Sequence, residues 1–321
     1  MITTGIGEVG VLHNREQLEE MQRLPLARKI QITTARIIEW YQHYDGKVYV
    51  AFSGGKDSTV LLDIVRRIYP DVPAVFSDTG LEFPEVRQFA MSRENVTIVR
   101  PEMNFRKIIE QYGYPVVSKR VADTVEYGHK PGSFRWKELH GEIMRSNGTP
   151  SEFNCEKWCY LLDAPFKVSA RCCNIMKKRP MKKYKKETGR HPIIATMAEE
   201  SRSRRSTWLR QGCNAFSGKN PSSQPMSFWT ESDVLEYLYT YQIPYASVYG
   251  DIVKTDGGVD NNRRTSHWLC VLCFWCPLGK SSKPFSASKD YPPKTLGLLH
   301  EIVGRARAWN APCSGIHRCP M

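Results

Sequence analysis

Nowhere in the 321 residues does an apolar run approach the about 20 residues that span a bilayer, so no membrane partner is expected. The stretch Met1–Val9 lacks a basic segment followed by an apolar core; it shows no secretory signal, and the expected setting is the cytoplasm. Acidic residues are comparatively scarce: 33 Asp and Glu stand against 46 Lys and Arg, a formal charge of +13. That balance suits a polyanionic partner, either a nucleotide or a nucleic acid. Cysteine is not lacking. In a reducing compartment the ten cysteines read as metal ligands, catalytic thiols or buried thiols rather than disulfides. The length fits two units or one elaborated domain.

Also missing is the Walker spacing, which needs four residues between a glycine and Gly-Lys-Ser/Thr. What stands in its place is Val48-Tyr49-Val50-Ala51-Phe52 followed by Ser53-Gly54-Gly55-Lys56-Asp57-Ser58. The first run predicts a strand. Val60, Leu61, Ile64, Val65 and Ile68 then recur at helical spacing. Two glycines between strand and helix let backbone N–H groups approach a ligand, and the helix dipole adds positive potential there. Lys56 supplies a point charge suited to phosphate.

Upstream, residues 1–45 predict two helices, Asn14 to Arg23 and Leu26 to Tyr44, with Ile30, Ile32, Ile37, Ile38 and Trp40 as apolar positions. Downstream, Asp71–Ser77 predicts a second strand, with Pro84 at the first position of the next helix. Val96–Arg100 predicts a third strand, and a helix near Asn104–Tyr112 follows. Strands alternating with helices predict an α/β fold with a parallel twisted sheet and helices on both faces. Ligands of such sheets sit beyond the carboxyl ends of the strands, where both Ser53–Ser58 and Asp78–Glu82 fall.

The loop Ser53-Gly54-Gly55-Lys56-Asp57-Ser58 resembles the PP-loop, Ser-Gly-Gly-x-Asp-Ser, of the ATP pyrophosphatase (adenine nucleotide alpha hydrolase-like, HUP-type) superfamily. Phe76–Glu85, Cys172-Cys173 followed by Lys177, His191–Arg204 and Ser227–Tyr245 resemble further motifs of the PAPS reductase family within it. Thr230 is the expected N-cap of the last helix, with Asp233 at the capping-box position. The nearest likeness is to family members common in bacteriophages and mobile elements. It implies a PP-loop domain over residues 46–250, with an insert at 115–165. In the insert, Gly128–Pro150 has little periodicity, and Cys155 and Cys159 stand four apart without a second pair.

The resemblance implies the following roles. Gly54, Gly55 and Ser58 cradle phosphates, Lys56 offsets their charge, Ser53 shapes the turn and Asp57 holds Mg²⁺. Asp78 and Thr79 contact the adenosine or the metal. Arg202, Arg204 and Arg205, with Lys177 and Lys178, meet the α-phosphate or an acidic acceptor. The sulfonucleotide reductase branch departs from Ser-Gly-Gly-x-Asp-Ser and uses a C-terminal cysteine. Here the loop is intact, and Ser314 stands in the cysteine slot beside Cys313. ATP, with pyrophosphate as leaving group, is therefore the expected cofactor.

Cys172 and Cys173, with Cys270 and Cys273, are candidate ligands of a [4Fe-4S] cluster, since the family often pairs Cys-Cys with a later Cys-x-x-Cys. The likeness stops near residue 260. Synonymous codons for Ser266–Trp275, read in a shifted frame, give Arg-Thr-Gly-Cys-Val-Phe-Cys-Ala-Phe-Gly, a family-like segment. Residues 251–321 are accordingly expected to form an irregular tail, frameshifted from about residue 260 in the gene or its sequencing. In that case Cys270 and Cys273 are by-products of a wrong frame.

The leading expectation is an ATP pyrophosphatase that adenylates an acceptor such as nucleic acid and serves sulfur transfer, working with a sulfur-donor protein. The DNA phosphorothioation systems contain an enzyme of that class. Two alternatives stay open: a sulfonucleotide reductase, and a non-catalytic nucleotide- or DNA-binding accessory subunit.

Overall fold

Runs of four or five β-branched and aromatic residues punctuated by glycine build an alternating α/β order in the computed structural model, which describes residues 13–218, 220–255 and 258–261. In chain order the elements are α1 (Arg15–Arg23), α2 (Leu26–His43), β1 (Val48–Phe52), α3 (Lys56–Ile68), β2 (Ala74–Ser77), α4 (Pro84–Met91) and β3 (Val96–Val99). Next come α5 (Phe105–Tyr112), α6 (Lys119–Tyr127), α7 (Phe134–Leu139), α8 (Arg179–Thr188) and β4 (His191–Ile194). The rest are α9 (Arg202–Gln211), β5 (Asn214–Ala215), β6 (Ser222–Ser223), α10 (Glu231–Thr240), β7 (Ile252–Thr255) and β8 (Gly258–Asn261).

The chain divides into two units. Among the described residues, the first comprises those from 13 to 78, Pro84–Arg100 and those from 180 to 261; the second comprises Thr79–Phe83 and Pro101–Arg179. In the first unit the sheet order is β3-β2-β1-β4-β6-β5, parallel throughout except for the edge pair β5–β6. Residues of opposite parity on β1 meet helices on opposite faces, as the period of two requires. Tyr49 packs on Tyr184 of α8, while Phe52 faces Phe89 of α4. Strand order reverses between β1 and β4, which is the switch point where such sheets open a crevice beyond the strand ends.

The predicted α1 and α2 are present, with Asn14 capping α1 through a reciprocal bond to Gln17. The buried stripe of α2 differs from the expected apolar one: it runs through Lys29, Thr33, Ile37 and Trp40. Lys29 Nζ is held by Asp233 Oδ2 at 2.6 Å and Gln22 O at 2.7 Å. Thr33 Oγ1 donates to Pro225 O and accepts from Trp229 Nε1 at 2.8 Å. Buried polar groups survive only when partnered. Here the partners pin α2 to the segment entering α10.

The second unit contains α5, α6 and α7. The stretch 115–165 holds two short α-helices, each opened by a serine, and a 3-10 helix at Glu156–Asp163: Ser118 accepts from Val121 N and Ser133 from Trp136 N. Buried Glu138 accepts from Arg120 and Arg135, the latter at 2.7 Å. Val121, Ala122, Val125 and Leu139 pack with Leu161 and Val168 in one cluster. A second cluster joins Phe105, Ile108 and Ile109 of α5 to Cys172, Ile175 and Met176.

Candidate functional site at the end of the first strand

Residues 53–58 form the predicted turn between β1 and α3, with Gly55 as the N-cap of α3. Gly54 has φ +72°, and a Cβ there would lie 2.8 Å from Val86 O and 3.2 Å from the Ala90 side chain. Both the left-handed backbone and the close approach of α4 demand glycine. The serines lock the turn: Ser53 Oγ and Ser58 Oγ are 3.0 Å apart, Ser53 N donates to Ser58 Oγ, and Ser58 Oγ donates to Gly55 O at 2.9 Å. Thr59 Oγ1 also donates to Gly55 O, at 2.9 Å. The α3 N-terminus thus opens on a locked turn, a geometry that can receive an anion.

Lys56 is not exposed at the mouth of this turn. Its side chain is 2% exposed, and Nζ lies 2.6 Å from Asp57 Oδ1 and 3.5 Å from Glu231 Oε1. Glu231 is the first residue of α10, behind the Thr230 cap, whose Oγ1 and N–H both donate to Asp233 Oδ2 at 2.7 Å. Tyr237 on α10 donates to Asp63 on α3 at 2.6 Å, which fixes the two helices side by side. Glu199, after β4, accepts the Glu231 N–H at 2.5 Å. Burial lifts the Glu199 carboxyl above its ordinary range against the pull of that bond, and the Glu231 and Asp233 carboxylates push the same way. Tyr249 reaches over the turn: its hydroxyl stands 3.1 Å from where a Gly55 Cβ would be. Burial, then the neighbouring Asp57, raises its phenol.

Asp78, at the end of β2, is buried and fully engaged. Arg87 of α4 grips both oxygens, at 2.9 and 3.0 Å, and Arg100 adds a contact at 3.2 Å. The Arg87 bonds hold its carboxyl below the usual range against burial, with Arg100 helping. Thr79 N and Oγ1 donate to Glu82, which closes its own turn. On α9, Ser201 caps the helix by accepting from Arg204 N, Arg204 pairs with Glu200, and Arg202 is exposed.

The cysteine pair lies in the second unit. Cys172 is buried, and a π-helical turn, Asn174–Lys178, follows Cys173 at once. The Cys172 hydrogen bond pulls the Cys173 thiol down to about 6 against burial, and Lys119, Lys177 and Lys178 assist. A low-pKa thiol beside a second thiol has the donor chemistry that iron–sulfur ligation uses, and a cluster of that kind takes four such ligands. Among the described residues no three His, Cys, Asp or Glu side chains are grouped to hold a metal. Cys270, Cys273 and the tail with Cys313 and Ser314 lie outside the described residues.

Sequence reading thus found the loop and assigned no role to Glu199, Glu231 or Tyr249, which the fold brings to it. Glu231 beside the Thr230 cap was the available signal. No helix among the described residues is long and apolar enough to cross a membrane.

A mostly parallel α/β sheet with a glycine turn at its switch point is the architecture of a nucleotide-binding domain. Within that class, residues 47–122 and 151–264 match the phosphoadenosine phosphosulfate reductase domain, and the chain belongs to that family. The gap between the two matched segments, residues 123–150, contains α7. The chain is 23% identical over 78% of its length to an uncharacterized protein of Methanocaldococcus jannaschii, but spans only 40% of that protein. It is 22% identical to adenosine 5'-phosphosulfate reductase of Staphylococcus epidermidis, covering 77% of this chain and 87% of the other. To sulfate adenylyltransferase subunit 2 of Vibrio atlanticus it is 24% identical, covering 74% and 73%.

Proposed function

We infer that the chain is an enzyme that binds ATP at Ser53–Ser58 and transfers its adenylyl group to an acceptor, releasing pyrophosphate, in the service of sulfur transfer. One observation carries this reading: the turn at Gly54 admits no side chain, and Ser53, Ser58 and Thr59 hold it rigid at the sheet's switch point. Such a turn aims N–H donors at phosphate oxygens and costs no reorganisation as charge develops on the leaving group. The likeness to a sulfate adenylyltransferase subunit supports an adenylyl chemistry.

Gly54, Gly55 and Ser58 then contact the leaving phosphates, and Lys56 neutralises them. Asp57 lies in the first turn of α3 and Asp78 follows β2; Asp57, the more exposed, is the fitting Mg²⁺ ligand. The ion would supply charge neutralisation of the phosphates. Arg202, Arg204 and Arg205 offer guanidinium groups for the α-phosphate or an acidic acceptor such as nucleic acid. The tail is read as frameshifted, a reading supported by the end of the family match at residue 264.

A sulfonucleotide reductase is the second reading, favoured by the likeness to the Staphylococcus enzyme. Pyrophosphate release from ATP, measured beside sulfite release from adenylyl sulfates with a thiol reductant, separates them. Pyrophosphate alone supports the first reading; sulfite alone overturns it.

A further inference from the structure

The two carboxylates on Lys56 are not equivalent. Asp57 is the next residue of the same helical turn, its side chain is 19% exposed, and its contact is 2.6 Å. Glu231 comes from another helix, is 50% exposed, and sits at 3.5 Å. Its place is fixed through the backbone, by the N–H bond to Glu199 and by the Thr230–Asp233 capping box that spans it. The backbone bond holds α10 whichever way this half-exposed carboxylate points, so exchange at Lys56 does not require the helix to move. The buried ammonium thus already meets two carboxylates, one of them half-exposed.

We propose that Glu231 is an exchangeable counterion of Lys56, occupying the ammonium until a phosphate group of a polyphosphate ligand displaces it. Glu231 is thus a determinant of affinity: a ligand must offer Lys56 more charge than a carboxylate does, which a diphosphate can. The carboxylate also keeps the buried ammonium compensated in the free protein, where an unpaired charge would be costly. Asp57 stays with Lys56 throughout and keeps the side chain aimed at the turn. The proposal rests on the reading of Ser53–Ser58 as a phosphate cradle.

The test is calorimetric titration of the full chain with inorganic pyrophosphate in EDTA. Glu231→Gln keeps the side-chain shape and the backbone bond to Glu199 but removes the competing charge. A half-exposed ion pair of about 1 kcal/mol corresponds to roughly fivefold tighter pyrophosphate binding in that variant. Glu236→Gln, an exposed charge removed elsewhere on α10, should change affinity less than twofold. A purely structural role for Glu231 predicts loss or no change, never a gain. If wild type binds, Lys56→Ala does not, and Glu231→Gln matches wild type, the cradle stands and the counterion proposal falls. An equal gain in Glu236→Gln also overturns it, because general charge then suffices. If neither wild type nor Glu231→Gln takes up pyrophosphate, the cradle reading itself falls and the proposal with it.

Discussion

Lys29 Nζ and Asp233 Oδ2, 204 residues apart in sequence, lie 2.6 Å from each other in the interior of the first unit. Both side chains are almost without solvent. The pair ties α2 to the capping box of α10, and α10 carries Glu231 to Lys56. Lys29→Met leaves Asp233 buried and uncompensated, at a cost of about 3–5 kcal/mol. Urea denaturation should show that loss, with Lys29→Met/Asp233→Asn recovering part of it. A change under 1 kcal/mol would mean the pair is solvated in solution.

Gly54 and Gly80 share a left-handed φ, +72° and +73°, but only Gly54 has neighbours within reach of a Cβ. Gly80→Ala should cost only the conformational term of about 1–2 kcal/mol. Gly54→Ala should cost more, because Val86 O is backbone and cannot swing aside. Equal destabilisation in chemical denaturation would contradict the close packing of α4 on the turn.

Asp78 gives the acid limb of stability a specific cause. Its folded carboxyl lies below the ordinary aspartate value of about 3.8. Its contribution is therefore complete above pH about 4 and is lost as pH falls through the lower folded value. Asp78→Asn should flatten the stability profile below pH about 4 and lower the plateau above it. A profile parallel to wild type across that range would show that Arg87 and Arg100 do not favour the carboxylate.

The frame reading has its own test, the coding DNA across residues 255–300. The account predicts that the codons for Ser266–Trp275, shifted in frame, encode Arg-Thr-Gly-Cys-Val-Phe-Cys-Ala-Phe-Gly. Any other shifted peptide contradicts it.

Local chemistry explains which parts were legible in the sequence. The turn after β1 declares itself because six adjacent residues carry its geometry, and Pro84 and Thr230 mark helix starts by capping rules that act over three or four positions. Alternating strands and helices were enough for the sheet. By contrast, Lys29 reads as a solvent-facing charge on an amphipathic helix, and only Asp233, far along the chain, makes its burial tolerable. Glu199, Glu231 and Tyr249 reach the loop by tertiary folding, which no spacing encodes. The helices α6 and α7, at nine and six residues, are too short for periodicity to show, and their caps Ser118 and Ser133 emerge only in the structure.

The central claim is that the Ser53–Ser58 turn holds the phosphates of ATP with Lys56 as its cation. Equilibrium titration of ATP with Mg²⁺ into wild type and Lys56→Ala tests it most directly. The account predicts saturable binding by wild type and at least a roughly tenfold weaker affinity in the variant, the worth of one charge-assisted bond. Equal affinity in the two proteins, or no binding by wild type, would contradict it.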